Sequence, residues 1–146
     1  MDGSVVLDTS VVIKWFRQGE VLAERALALR QAYLDGQIAI TVPSLLAYEL
    51  ANVLRYKGDL TTDQVQDAVQ SLFDMRLEWV LPSNLAMCRA VEMARGHETT
   101  VYDAAFAALA ETLEATFITA DERLARRLAP LPFIRFLGEI EAMSKG

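Results

Sequence analysis

A single cysteine, Cys88, and a single histidine, His97, leave this 146-residue chain without the parts for a disulfide framework or a zinc cluster within one chain. Cys88 falls among Ala86, Met87 and Val91 and reads as a small core residue. His97, in RGHETT between two helical patterns, has no Ser or Cys nucleophile beside it and reads as a solvated loop residue rather than a base. Basic side chains are scarce too. Fourteen Lys and Arg against 20 Asp and Glu give a net charge of −6, which argues against broad attraction to nucleic acid and leaves only local contact. Long apolar runs are missing, since Asp8 and Lys14 interrupt the one near the N-terminus; the expectation is no signal peptide, no membrane span and a cytoplasmic protein. The seven glycines build no phosphate-cradling loop, and neither a Ser-His-Asp arrangement nor an HExxH pair occurs.

What is present is apolar material, 53% of the residues, enough for one domain over 1–146 with a substantial core. SVVL (Ser4 to Leu7) is a β-branched strand, and TSVVIKWF turns into a helix started by Asp8 or Thr9. EVLAERALALRQAYLDG has helical spacing at Leu22, Ala26, Leu29 and Tyr33 with a stop at Gly36, and QIAITVP is a second strand. SLLAYELANVLRYKG, with Ser44 available as a cap, and LTTDQVQDAVQSLFDM, opened by Thr61 or Thr62, are two more helices. LEWVLP is a third strand, SNLAMCRAVEMARG a helix capped by Ser83 and ended by Gly96, and VYDAAFAALAE the next helix. ATFITAD returns to strand, ERLARRLA is a short basic helix, and PFIRFL is a last strand before a polar tail ending MSKG. Strands alternating with helices predict an α/β domain with a small, largely parallel sheet covered on both faces. Ligands in such sheets bind beyond the carboxyl ends of the strands, where strand order reverses.

Four acids stand out against this background. Asp103 is the one ionisable residue among nine apolar neighbours in VYDAAFAALAE before Glu111, and burying it costs several kcal/mol, roughly, unless something compensates. Thr100-Val101-Tyr102-Asp103 also fits a capping box in which the acid bonds back to the helix start, and both readings stay open. Asp8 and Asp121 end two strands; as neighbours at the sheet centre they would repel, share a proton or bind a cation, while each taken alone reads as an N-cap. Glu49 has Leu45, Leu46 and Val53 on its helix face and points partly towards apolar surroundings. The small residues Ala107 and Ala110 beside Phe106 allow the Asp103 helix to approach the sheet closely. An acid cluster is the only chemistry clearly on offer, and it needs Mg²⁺ or Mn²⁺ to attract a phosphodiester.

In VVLDTSVVIKWF, PSLLAYELANVL, TTVYDAAFAALAE and TFITADERL, taken in order, the chain resembles the PIN-domain nucleases, and among them the VapC-type toxins of toxin–antitoxin pairs. The resemblance implies that Asp8, Glu49, Asp103 and Asp121 are catalytic metal ligands, with Ser10 and Thr119 as polar residues that help to arrange them. It implies a Rossmann-like three-layer α/β/α sandwich with the first strand beside the fourth. It also implies a Mg²⁺- or Mn²⁺-dependent endoribonuclease that uses a metal-activated water, a homodimer, and a cognate antitoxin in a groove that Trp15, Phe16, Tyr48 and Leu54 could line. Lys14, Arg17, Arg123, Arg126 and Arg127 are the cations nearest in sequence to Asp8 and Asp121 and could position RNA phosphates. Two alternatives remain: a silent binding module on the same fold, and a haloacid dehalogenase-like phosphohydrolase, whose second acid is here Ser10.

Overall fold

Val5, Val6 and Leu7 are three consecutive residues without exposed surface, which a strand with one wet face cannot accommodate. In the computed structural model, which describes residues 3–140, they form the inner part of β1 (Gly3–Leu7), the middle strand of a five-stranded sheet. Its order is β3-β2-β1-β4-β5 and every pairing is parallel, with β2 at Ile38–Pro43, β3 at Glu78–Val80, β4 at Thr116–Thr119 and β5 at Ile134–Phe136. All the strands predicted from the sequence are there. The polar tail expected at MSKG lies outside the described residues.

The chain moves outward from β1 to β2 and β3, then returns across the sheet to β4 and β5, so strand order reverses between β1 and β4. Right-handed crossovers then place α1 (Thr9–Val12), α2 (Ala23–Leu34), α3 (Leu45–Tyr56) and α4 (Thr62–Asp74) on one face. They place α5 (Asn84–His97), α6 (Val101–Leu113) and α7 (Glu122–Arg127) on the other. This is the three-layer α/β/α sandwich expected. Helix α6 lies across β1, β2 and β4, and it buries Ala104, Ala107, Ala108 and Ala110 together with Phe106 and Leu109. The alanines bring its backbone close, and Phe106 stacks on Phe117 of β4 at a ring separation of 6.4 Å.

Local signals held at several element ends and failed at others. Thr61 forms a full capping box with Gln64, and Ser83 accepts from the Ala86 N–H at 3.1 Å. Ser44 makes no side-chain cap, because its backbone is already helical and its N–H donates to Val80 O. The helical reading of TSVVIKWF shortens to α1 and a 3-10 turn over Ile13–Trp15.

Two single-residue expectations are corrected. Cys88 is exposed, not core: α5 buries Ala90, Met93 and Ala94 at helical spacing, and Cys88 lies off that face beside the exposed Met87 and Val91. His97 is no loop residue, because α5 runs through Gly96 and turns left-handed only at Glu98. The half-buried His97 ring has Nδ1 3.1 Å from Arg127 O, and Arg127 Nη1 donates to Glu98 O at 2.6 Å.

Candidate active site

The register Leu7↔Ile118 sets Asp8 beside Thr119 at the carboxyl ends of β1 and β4, at the point where strand order reverses. Asp8 is 6% exposed, and it does not cap α1 with its side chain. Ser10 Oγ donates to Asp8 Oδ1 at 2.5 Å, and Thr119 Oγ1 donates to Oδ2 at 2.6 Å. Each hydroxyl is fed by backbone in turn: Ala120 N–H donates to Ser10 Oγ at 2.8 Å, and Asp121 N–H to Thr119 Oγ1 at 3.1 Å. Asp8 is thereby held from both sides by two short relays that begin on the segment following β4.

Glu49, half-buried on α3, receives Thr9 Oγ1 at 2.7 Å. Asp103 sits in the first turn of α6, where its N–H donates to Thr100 Oγ1 at 3.0 Å. The reciprocal bond, in which the Thr100 N–H would donate to the Asp103 carboxylate, is not formed, so half of the capping box exists and the carboxylate is not consumed by it. Asp121 does cap: its Oδ1 accepts from the Leu124 N–H at 3.1 Å at the start of α7, and the residue is exposed.

The electrostatics link the four. Burial pushes the Asp8 carboxyl up to about 7, against the opposing hydrogen bonds from Ser10 and Thr119, and the charge of Asp103 adds to the rise. Glu49 is raised by burial and by Asp103, with Thr9 pulling the other way. Asp103 is raised by burial first and by the charge of Asp121 second. Asp103 is thus the acid whose charge raises Asp8 and Glu49, and it is itself raised by Asp121. Among the described residues none of the four pairs with Lys or Arg.

As placed, no three His, Cys, Asp or Glu side chains among the described residues stand close enough to ligate one ion. The donor set itself suits a hard divalent cation: carboxylate oxygens in a partly dry setting, repelling one another and bonded only to hydroxyls and amides. Asp8 is held by its two hydroxyls and Glu49 by Thr9, so joint ligation requires rotation of Asp103 or Asp121.

The residues proposed for a groove do not gather into one. Leu54 is fully buried, half-buried Trp15 donates Nε1–H to Ala26 O at 2.8 Å, and Phe16 borders a hollow with Gln18, Asp59 and Leu60. Tyr48, 77% exposed, instead lines an apolar hollow of about 310 Å³ with Leu45, Leu81, Met87, Tyr102 and Leu109. Of the basic candidates, Lys14 pairs with Glu20, Arg17 with Glu20 and Asp59, and Arg126 with Glu122. Exposed Arg123 makes no ion pair among the described residues. Sequence reasoning read Thr9 only as a possible helix start and gave it no part in the site.

Residues 5–129 match the PIN domain family model. Over an alignment of 131 positions that takes in 87% of this chain and 96% of the relative, the chain is 30% identical to Ribonuclease VapC3 of Pyrobaculum aerophilum. Two solved structures share the fold. VapC20 of Mycobacterium tuberculosis, a sarcin-ricin loop cleaving toxin, superposes with a TM-score of 0.65 at 12% identity over 84% of this chain and 93% of that one. A toxin-antitoxin complex from Klebsiella pneumoniae also gives 0.65, at 19% identity over 93% and 99%.

The folded chain holds the Asp8 proton more tightly than the unfolded chain does, so the stability contributed is full below the ordinary carboxylate value of 3.8 and is lost as pH rises through about 7. The melting temperature of metal-free protein is therefore expected to fall between pH 5 and pH 8 by something on the order of 5 °C, and Asp8→Asn to flatten that slope. A slope unchanged by the substitution contradicts the assignment. Asp103→Asn removes the charge that raises both Asp8 and Glu49, and calorimetry at pH 8 without metal should find stability equal or higher. A large loss would instead give the Asp103 carboxylate a structural bond.

Proposed function

The chain belongs to the PIN domain family and to its VapC-type members, and from that premise we propose that it is a Mg²⁺- or Mn²⁺-dependent endoribonuclease, the toxin of a type II toxin–antitoxin pair, acting in the cytoplasm. The observation that carries this reading is Asp8: a buried carboxylate at the strand switch point, held by two hydroxyls, under the field of Asp103 and without a cationic partner among the described residues.

Asp8, Glu49, Asp103 and Asp121 would hold the ion, with Ser10 and Thr119 keeping Asp8 in place. When bound, a divalent cation supplies a Lewis acid for the phosphodiester and lowers the pKa of its water. The chain's own residues do the remainder. Ser10 and Thr119 commit their protons to Asp8, so both Asp8 oxygens keep a fixed direction. Glu49 and Asp103, both raised by burial, hold a proton more readily than surface carboxylates do. Arg123, exposed and two residues past Asp121, would supply a positive charge for an RNA phosphate.

One observation favours a second reading, a silent binding module: no three acids stand within ligating reach as placed. The two readings part on metal. Purified protein is expected to cleave single-stranded RNA with Mg²⁺ or Mn²⁺ and not in excess EDTA, and Asp8→Asn to reduce cleavage by about 10³-fold or more while the circular dichroism stays native. Cleavage that survives EDTA sinks the proposal, and a protein that neither cleaves RNA nor takes up metal supports the binding module.

The partners proposed are a cognate antitoxin and a second copy of the chain. The support for a protein partner is the apolar face around Tyr48, Leu81 and Tyr102, exposed by 77%, 77% and 63%. Contiguous apolar surface of this kind marks interaction sites. If the second copy uses it, Leu81→Arg converts a dimer to a monomer in light scattering after size exclusion, without loss of fold. A dimer that persists excludes this face.

A further inference from the structure

Asp8, Thr9 and Ser10 send their side chains to three different destinations within one turn of chain. Asp8 faces β4, and Ser10 bonds both Asp8 and the Ala120 N–H. Thr9 reaches away from the sheet to α3, where its hydroxyl meets Glu49 Oε1 across forty residues of sequence. This bond ties the start of α1 to the middle of α3. Among the described residues it is the only hydrogen bond recorded for the Glu49 carboxylate, whereas Asp8 has two and Asp121 has one to the start of α7.

The difference matters because Glu has three rotatable side-chain bonds, and a half-buried glutamate with no anchor samples several directions. A β-branched threonine is the stiff kind of anchor, since branching at Cβ restricts its χ1. At the first position of α1 its own hydroxyl has no carbonyl a turn earlier within the helix to bond, which frees the proton for Glu49.

We propose that Thr9 is a positioning residue for Glu49: its hydroxyl fixes the direction of the Glu49 carboxylate and thereby couples the α3 acid to Asp8 through one rigid tripeptide. The proposal rests on the reading of Glu49 as one of the metal-holding acids. Thr9 touches neither metal nor RNA in this role. Its contribution passes through Glu49 alone.

Thr9→Val keeps the shape and removes the hydroxyl, Thr9→Ser keeps the hydroxyl, and Thr9→Ala stands in should the valine variant fold poorly. Mn²⁺ affinity, followed by electron paramagnetic resonance of the free ion, is expected to weaken by about 10-fold or more in Thr9→Val and to return close to the wild-type value in Thr9→Ser. In RNA cleavage the same substitution lowers kcat by about 10–100-fold and leaves KM for RNA near its starting value, because no substrate contact is lost. In a Glu49→Gln background Thr9→Val adds little to either readout, since the group it orients is already gone. Wild-type Mn²⁺ binding and cleavage with an unaffected Thr9→Val overturns this proposal alone, as does a full effect of Thr9→Val on top of Glu49→Gln. A wild-type chain that neither binds Mn²⁺ nor cleaves RNA overturns the metal reading and this proposal together, so the two failures are told apart.

Discussion

The side-by-side pairing of β1 with β4 at the middle of a parallel sheet is the constraint on which the rest depends. It sets Asp8 next to Thr119, closes both hydroxyl relays and brings the start of α7, with Asp121, to the same end of the sheet. Because every strand runs parallel, all the carboxyl ends point one way, and the helices must start above them. Acids at strand ends and in first helical turns therefore converge without any special loop. What they lack is a counter-charge: burial first, and the charge of a neighbouring acid after it, raises the pKa of Asp8, Glu49 and Asp103.

Helix α6 turns this sheet edge into a site. A helix carrying larger side chains would stand further from β1 and β4, and the Asp103 charge would be screened from Asp8. The run of alanines is thus a spacing device, and Phe106 on Phe117 fixes where along the sheet the helix lies. The same arrangement places Tyr102 on the outer side of α6 and Tyr48 on the outer side of α3, so the apolar face and the acids are built from the same two helices. Occupation of that face by another chain would bear directly on how α3 and α6 present Glu49 and Asp103.

Much of this was legible in the residues. The alternation of strands and helices specified a parallel α/β sheet, and the four acids were picked out because each sat where a strand ends or a helix face turns apolar. Three kinds of feature were not legible. Whether an acid caps its helix depends on backbone angles that spacing does not reveal: Asp121, at ψ 102°, caps, Asp8, at ψ 178°, does not, and Asp103 receives only half of its box. Whether a small residue is buried depends on which face a helix turns inward, and α5 turns Ala90 and Met93 in and leaves Cys88 out. Long-range side-chain bonds such as Thr9 to Glu49 leave no trace in spacing at all. The aromatic groove failed for a related reason, since α3 turns Leu54 fully into the core and leaves Tyr48 exposed.

If the mutual repulsion of these carboxylates is what a divalent cation relieves, then metal uptake must expel the proton that burial leaves on Asp8 near neutral pH. Isothermal titration of the metal-free chain with Mn²⁺ at pH 6.5, repeated in buffers of different ionisation enthalpy, measures that proton directly. Saturable binding with release of a substantial fraction of a proton, abolished in Asp8→Asn, is the predicted result. Absence of binding at millimolar Mn²⁺, or binding without any proton release, would contradict it.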